Sequence, residues 1–234
     1  LVDSKYSSDQ MEQVRLGLEE KLDVSVYADP EYSPNQMKQI RLGLEEKLDV
    51  SVYADPEYTP YQMQQMRLSL RDGFNISEYV SDLRYNDTQI SLIASGLKSG
   101  LDISAYADPA YSVNQMSEIV AGLKKGLDVS LYSNPKYTPN QMEQIRLGLE
   151  DNLDVFVYAD SAYNDNQMEK IRLGLKKGLD VSVYADSKYS SDQMGRIKLG
   201  LEDGLDVSVY ADPKYNFYEM DRIMRAIVLL KSVL

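Results

Sequence analysis

The chain has 234 residues, with 37 acidic side chains against 25 basic, a formal net charge of −12, and neither cysteine nor histidine. That composition excludes disulfides, thiolate and imidazole metal sites, cysteine or histidine catalysis, and charge-driven adhesion to a nucleic-acid backbone. At 43% hydrophobic and 26% charged residues the balance is that of a globular protein, with an aromatic usage skewed to 19 tyrosines and no tryptophan. The longest apolar run, Ala226 to Leu230, falls far short of the roughly 20 residues of a membrane helix. The expectation is a cytoplasmic protein with no membrane partner. The chain starts at Leu1 rather than methionine, which reads as a fragment, a processed product or a trimmed one.

Tyrosine recurs at 6, 32, 58, 85, 111, 137, 163, 189 and 215, every 26 residues except for one step of 27 after Tyr58. Four residues after each comes glutamine, from Gln10 to Gln193, with Glu219 in the last copy. A fixed period of this kind is the signature of a stacked-repeat architecture. The chain reads as a single domain over 1–234, built of eight full copies and a shortened ninth.

Within a copy the local signals follow in order. Ser33 is a helix N-cap, Pro34 suits the first helical position, and Gln36 completes a capping box. Met37, Ile40, Leu44 and Leu48 share one helical face. The stop position holds Gly73, Gly100, Gly126, Gly178 and Gly204, Asn152 in another copy, and Lys21 and Lys47 in the first two. Glycine and asparagine there tolerate the left-handed conformation that ends a helix, and the next leucine folds back in a Schellman motif. About 13 residues of long helix are followed by Asp49-Val-Ser-Val-Tyr53, which reads as a short helix of one to two turns capped by Asp49. A short strand is the alternative. The mid-helix glycines, such as Gly43, read as close-packing positions between neighbouring helices.

One such unit cannot bury its own apolar face, but stacked neighbours can. The fold class is therefore all-α, an α-solenoid of nine helix–turn–short-helix repeats, with helices starting near Ser33, Thr59, Ser112, Thr138 and Ser190. The irregular step lies in 78–84, where Ala-Asp-Pro is lost and Leu83 enters an exposed loop. A change of curvature is expected there. In the last copy Ile223, Ile227, Val228, Leu229 and Leu230 replace the capped end, which makes that end an apolar surface suited to self-association.

The strings QMxxIRLGL and LDVSVYADPxY resemble a short helical tandem repeat of proteins from Gram-positive bacteria, their phages and their conjugative elements. The resemblance spans Tyr6 to about Ala226. It implies a mobile-element or phage-associated scaffold that acts on host or defence proteins, and it brings no catalytic residue and no cofactor with it. Copies four and five depart from it, with Ala94 and Val120 at the arginine position.

The recurring rows have two readings each. Arg15, Arg41, Arg67, Arg146 and Arg172, with Lys198, are either a phosphate- or carboxylate-binding ladder or structural partners of the recurring aspartates, Asp23 to Asp206 and Asp29 to Asp212. The paired tyrosines, such as Tyr32 and Tyr53, are either a groove for bases or peptides, or an inter-repeat seam with each hydroxyl bonded. No aspartate loop has calcium spacing. No two carboxylates stand apart from the rest as a hydrolytic pair, so no enzyme activity, metal or cofactor is expected.

Positions that vary between copies point outward. The helix-end pair is Glu19-Glu20, Glu45-Glu46, Lys124-Lys125, Glu150-Asp151, Lys176-Lys177 and Glu202-Asp203, a charge inversion expected of a solvated and structurally free site. Residues 1–84 carry 9 basic and 16 acidic side chains, and residues 163–234 carry 11 of each, so a basic partner is steered toward the first copies. Phe156 replaces a recurring serine, Tyr61 stands in the first turn of its helix, and Phe217-Tyr218 open the last copy. These aromatics are either interface anchors or neutral drift. The function expected is a non-enzymatic scaffold for a protein partner with a basic surface. Tyr61, Phe156, Glu19, Glu20, Glu45 and Glu46 are its contact residues, and no direct nucleic-acid binding is expected. An acidic DNA mimic and a sponge for a small nucleotide are the alternatives.

Overall fold

The structure, a computed structural model, describes residues 5–82 and 84–233. The chain is all-helical among these residues, a tandem array of helical repeats that forms two compact units, Leu1–Val113 and Asn114–Leu234. In the first unit the long helices are α1 (Ser8–Glu19), α2 (Pro34–Glu45), α3 (Pro60–Arg71) and α5 (Asp87–Lys98), with a short α4 (Ser77–Ser81) between the last two. Each long helix packs on the next, α1 on α2, α2 on α3, and α3 on α5. The second unit carries α6 (Val113–Lys124), α7 (Pro139–Glu150), α8 (Asp165–Lys176), α9 (Ser191–Glu202) and α10 (Phe217–Val233), with α7 through α10 stacked in sequence. Each unit is thus a stretch of α-solenoid. No helix among the described residues is long and apolar enough to cross a membrane.

The capping chemistry sets the helix starts. At α2 the Gln36 amide N–H donates to Ser33 Oγ at 3.4 Å, while the Ser33 N–H donates to Gln36 Oε1 at 2.7 Å. The same box recurs at Ser7, Thr59, Asn86, Thr138, Asn164 and Ser190. The ends are Schellman turns, with Leu48 N–H donating to the Gly43 carbonyl and Lys47 N–H to that of Leu44. Lys21, Lys47 and Asn152 hold φ of 60°, 58° and 55°, the left-handed conformation that the other copies give to glycine.

The segment after the stop is a 3-10 turn of three residues, shorter than the one-to-two-turn helix its sequence suggests. Asp49 caps Val50–Val52, accepting from the Ser51 N–H at 3.1 Å. The turn is short because Tyr53 leaves it at once. Its ring is fully buried, and its hydroxyl donates to the Gln39 carbonyl at 3.3 Å. Tyr27, Tyr106, Tyr132, Tyr158 and Tyr184 do the same, each reaching the carbonyl 14 residues back.

The mid-helix glycine is the socket for that hydroxyl. A Cβ on Gly43 would overlap the Tyr53 oxygen and lie 2.9 Å from Val50 Cγ1 and 3.1 Å from Tyr53 Cζ. The close packing expected of these glycines is therefore against the tyrosine of their own repeat, not against a neighbouring helix. Core burial follows: Met37, Ile40 and Tyr53 are fully enclosed, while Leu44 and Leu48 are only half-buried.

The 27-residue step shows the same rule by exception. Ser69 stands at the socket position and is itself buried, and Tyr79 is half-exposed. Val80 is enclosed instead, one turn after the enclosed Ile76. The extra residue is absorbed by lengthening the three-residue 3-10 turn of the regular copies into the five residues of α4, Ser77–Ser81. Leu83 lies outside the described residues.

Candidate interaction surface

Bonds between repeats account for the recurring glutamines and arginines. The capping-box glutamine has a second role, since its Nε2 donates to the carbonyl of the tyrosine that opens the next copy. Gln10 reaches Tyr32 at 2.7 Å, Gln36 reaches Tyr58 at 2.6 Å, and Gln167 and Gln193 reach Tyr189 and Tyr215. The opening tyrosines Tyr6, Tyr85, Tyr137, Tyr163 and Tyr189 send their hydroxyls to an alanine carbonyl in their own copy, as Tyr85 does to Ala107 and Tyr163 to Ala185. These tyrosine hydroxyls therefore bond within their own copy. The bonds across repeats come from glutamine, arginine and the helix-end lysines.

The arginine row is structural, with partners other than the aspartates expected. Arg41 Nε donates to Gln13 Oε1 at 3.3 Å, and its guanidinium pairs with Glu45 and with Glu20 at 3.5 Å. Arg67 bonds Gln39 at 3.2 Å and Glu46 at 2.6 Å. In the second unit Arg146 pairs with Glu118 at 2.7 Å and with Glu150, and Arg172 bonds Gln144 at 3.0 Å and lies 3.8 Å from Asp151.

Four of the carboxylates expected to form a partner surface fall in or beside these seams. Glu45 and Glu46 pair with arginines, Glu20 shares Arg41 with Glu45, and Glu19 pairs with Arg15 on its own helix. The helix-end pair is thus not structurally free. Its charge inversion is matched across the seam: Lys125 pairs with Glu150 at 2.7 Å, Lys176 with Asp151 at 2.8 Å, and Lys177 with Glu202 at 3.0 Å. The cations hold Glu150 and Glu202 below the usual carboxylate range, Lys125 acting most on the first and Lys198 most on the second. Glu45 goes the other way, raised by burial and then by the Glu20 carboxylate beside it.

The aspartates of both rows serve the backbone. Asp29, Asp55, Asp160, Asp186 and Asp212 each accept from the N–H two residues on, which makes the turn before the next cap. Asp23, Asp49, Asp102, Asp128, Asp154, Asp180 and Asp206 cap the 3-10 turns and remain exposed. A serine two residues after most of them donates its hydroxyl back to the same oxygen, as Ser25 does to Asp23. These bonds lower the pKa of Asp23, Asp102 and Asp206.

Each unit therefore carries a ledge of exposed aspartate–serine turns. The Asp-x-Ser spacing at a cap is the signal in the sequence that marks it, and reading these residues as arginine partners hides it. On the ledge of the second unit Phe156 replaces the serine. Its ring is 78% exposed, and Asp154 keeps only the backbone bond, to Phe156 N–H at 3.2 Å. Tyr61, in the first unit, is 36% exposed in the first turn of α3. Phe217 is half-buried with the Arg196 guanidinium 4.6 Å from its ring centre, and Tyr218 is 81% exposed. Among the described residues no group of three acidic side chains is placed to hold a metal ion. No family model, curated protein or solved structure matches the chain.

Proposed function

We propose that the protein is a non-enzymatic repeat scaffold that binds a protein partner with a basic surface. In the setting implied by the resemblance to phage and mobile-element repeats, it is an inhibitor of a host or defence complex. The observation that carries this reading is Phe156. A fully presented aromatic ring, flanked by the capping carboxylates Asp128, Asp154 and Asp180 on successive turns of one unit, combines an apolar anchor with an acidic surround. The surround fits a basic partner, and the ring fits a pocket within it. Tyr61 is a second anchor, on the more acidic first unit. Exposed Val228, Leu229 and Leu230 offer a contact for a second copy of the chain.

The buried arginines and enclosed tyrosines favour this reading over a nucleotide sponge, which needs those groups accessible. The arginine and lysine partners of the helix-end carboxylates favour it over a DNA mimic, which needs unpaired negative charge in a row. A photo-crosslinking residue at 156, compared with one at Ser182 on the next turn, tests the proposal in extracts of the bacterial host. One protein species captured from position 156 and not from 182 is the expected result. Equal capture from both positions, or none from either, contradicts it.

A further inference from the structure

We propose that the seam between α3 and α5 is a guanidinium-binding site that receives an arginine side chain of the protein partner. The inference rests on the partner-binding reading for its occupant, though not for its chemistry. At the seam between α7 and α8, Arg172 bonds Gln144 Oε1 at 3.0 Å and lies 3.8 Å from Asp151, which Lys176 also contacts at 2.8 Å. In repeat register Gln65 corresponds to Gln144, Asp72 to Asp151, Lys98 to Lys176, and Ala94 to Arg172. The α3–α5 seam thus keeps the acceptors and the lysine, with Lys98 Nζ 2.7 Å from Asp72, and has lost the guanidinium, with Arg71 where α7 has Glu150 and Ser95 where α8 has Leu173.

The space is open. A cleft of about 210 Å³ lies there, lined among others by Gln65, Asp72, Phe74, Ser91, Ala94 and Lys98. A planar guanidinium offers five N–H donors, enough to address the Gln65 oxygen and the Asp72 carboxylate together. The charges lining it are Asp72 and Arg71 at the end of α3 and Lys98 on α5, with Arg71 Nε 3.6 Å from Asp72. A guest must therefore share Asp72 with Lys98, as Arg172 shares Asp151 with Lys176, or displace it.

That competition makes the site testable with a small probe, N-acetyl-arginine methylamide, followed by amide chemical shifts in the whole chain. Saturable binding is expected at roughly millimolar Kd, with shifts centred on Gln65, Ala94 and Ser95. Ala94→Arg, which restores the occupant in cis, abolishes binding, and Ala94→Met fills the same space should the arginine variant fail to fold. Lys98→Ala tightens binding by releasing Asp72, and Gln65→Ala weakens it about tenfold. The lysine analogue of the probe, with no planar fork, binds more weakly.

Absence of a saturable shift, or unchanged binding in both Ala94 variants, overturns the site. Weaker binding in Lys98→Ala also overturns it, because the Lys98 ammonium then does not compete with the guest for Asp72. None of these results bears on partner contact through Phe156, which is read separately.

Discussion

The hydroxyl of Tyr53 occupies the space that a Cβ on Gly43 would need, and it donates to the carbonyl of Gln39, 3.3 Å away on the same helix. Glycine inside a helix costs about 1 kcal/mol against alanine, yet six further copies repeat the socket, from Gly17 with Tyr27 to Gly200 with Tyr210, and five of the six repeat the bond as well. The cost is offset because the tyrosine after the 3-10 turn is fully enclosed only where that Cβ is missing.

Gly43→Ala is therefore expected to destabilise its unit by about 1–3 kcal/mol through overpacking, despite the gain in helix propensity. Adding Tyr53→Phe removes the overlapping oxygen and recovers part of the loss. Denaturant midpoints of the two single variants and the double variant measure the coupling. Strict additivity would show that the socket does not exist.

Lys47 sits at φ 58° where later copies have glycine. A left-handed conformation costs a side-chain-bearing residue roughly 1–2 kcal/mol. Lys47→Gly removes that cost but gives the unfolded chain more freedom. The expected net gain is about 0.5–1 kcal/mol, and the same sign is expected at Lys21. A lower melting temperature for Lys47→Gly would contradict the reading of the stop.

Glu20 and Glu45 face each other where Lys125 and Glu150 pair in a later seam. Glu20→Lys should reproduce that pair and stabilise by roughly 0.5 kcal/mol, the scale of a half-exposed ion pair. The Glu45 pKa is raised in the fold, so its ionised form is disfavoured there and the penalty is present above that pKa. The gain from Glu20→Lys is thus fullest at neutral pH and shrinks as acid protonates Glu45. A gain that grows on acidification would refute the assignment.

Burial pushes Tyr106 and Tyr210 up to about 12, and raises Tyr53, Tyr132, Tyr158 and Tyr184 as well. Their folded pKa values lie above the unfolded value of about 10. The stability they contribute is complete below pH 10 and is lost as pH rises through 12. Alkaline unfolding should coincide with tyrosinate absorbance at about 295 nm. Ionisation of all 19 tyrosines near pH 10 in a chain that stays helical would contradict their enclosure.

The caps, stops and period are legible in the sequence because their partners lie within six residues: Ser33 with Gln36, Leu48 with Gly43. The destinations of the long-range donors are not. Arg41 meets Gln13, 28 residues back, and Gln36 meets Tyr58, 22 ahead, and both pairings depend on how repeats stack. The tyrosine socket lay half in view. Ser69 for glycine and the inserted residue before Tyr85 are visible changes, but their link through Val80 needs the α-turn of 77–81. At the candidate surface Phe156 stands out by its break from the repeat, whereas Glu45 and Glu46 look equally free until their arginines are located.

We propose a division of labour in which recurring residues hold the repeats and off-pattern residues meet the partner. Phe156, in the 3-10 turn Val155–Val157, is exposed, and Tyr158, which caps the end of that turn, is enclosed. The most direct test titrates the captured partner against Phe156→Ala and Tyr158→Ala, with melting curves on the same samples. Phe156→Ala is expected to weaken binding about 30-fold, or roughly 2 kcal/mol, while stability stays within about 0.5 kcal/mol. Tyr158→Ala is expected to lose about 3 kcal/mol or more of stability. Full affinity in Phe156→Ala, or early melting in that variant, would contradict the account.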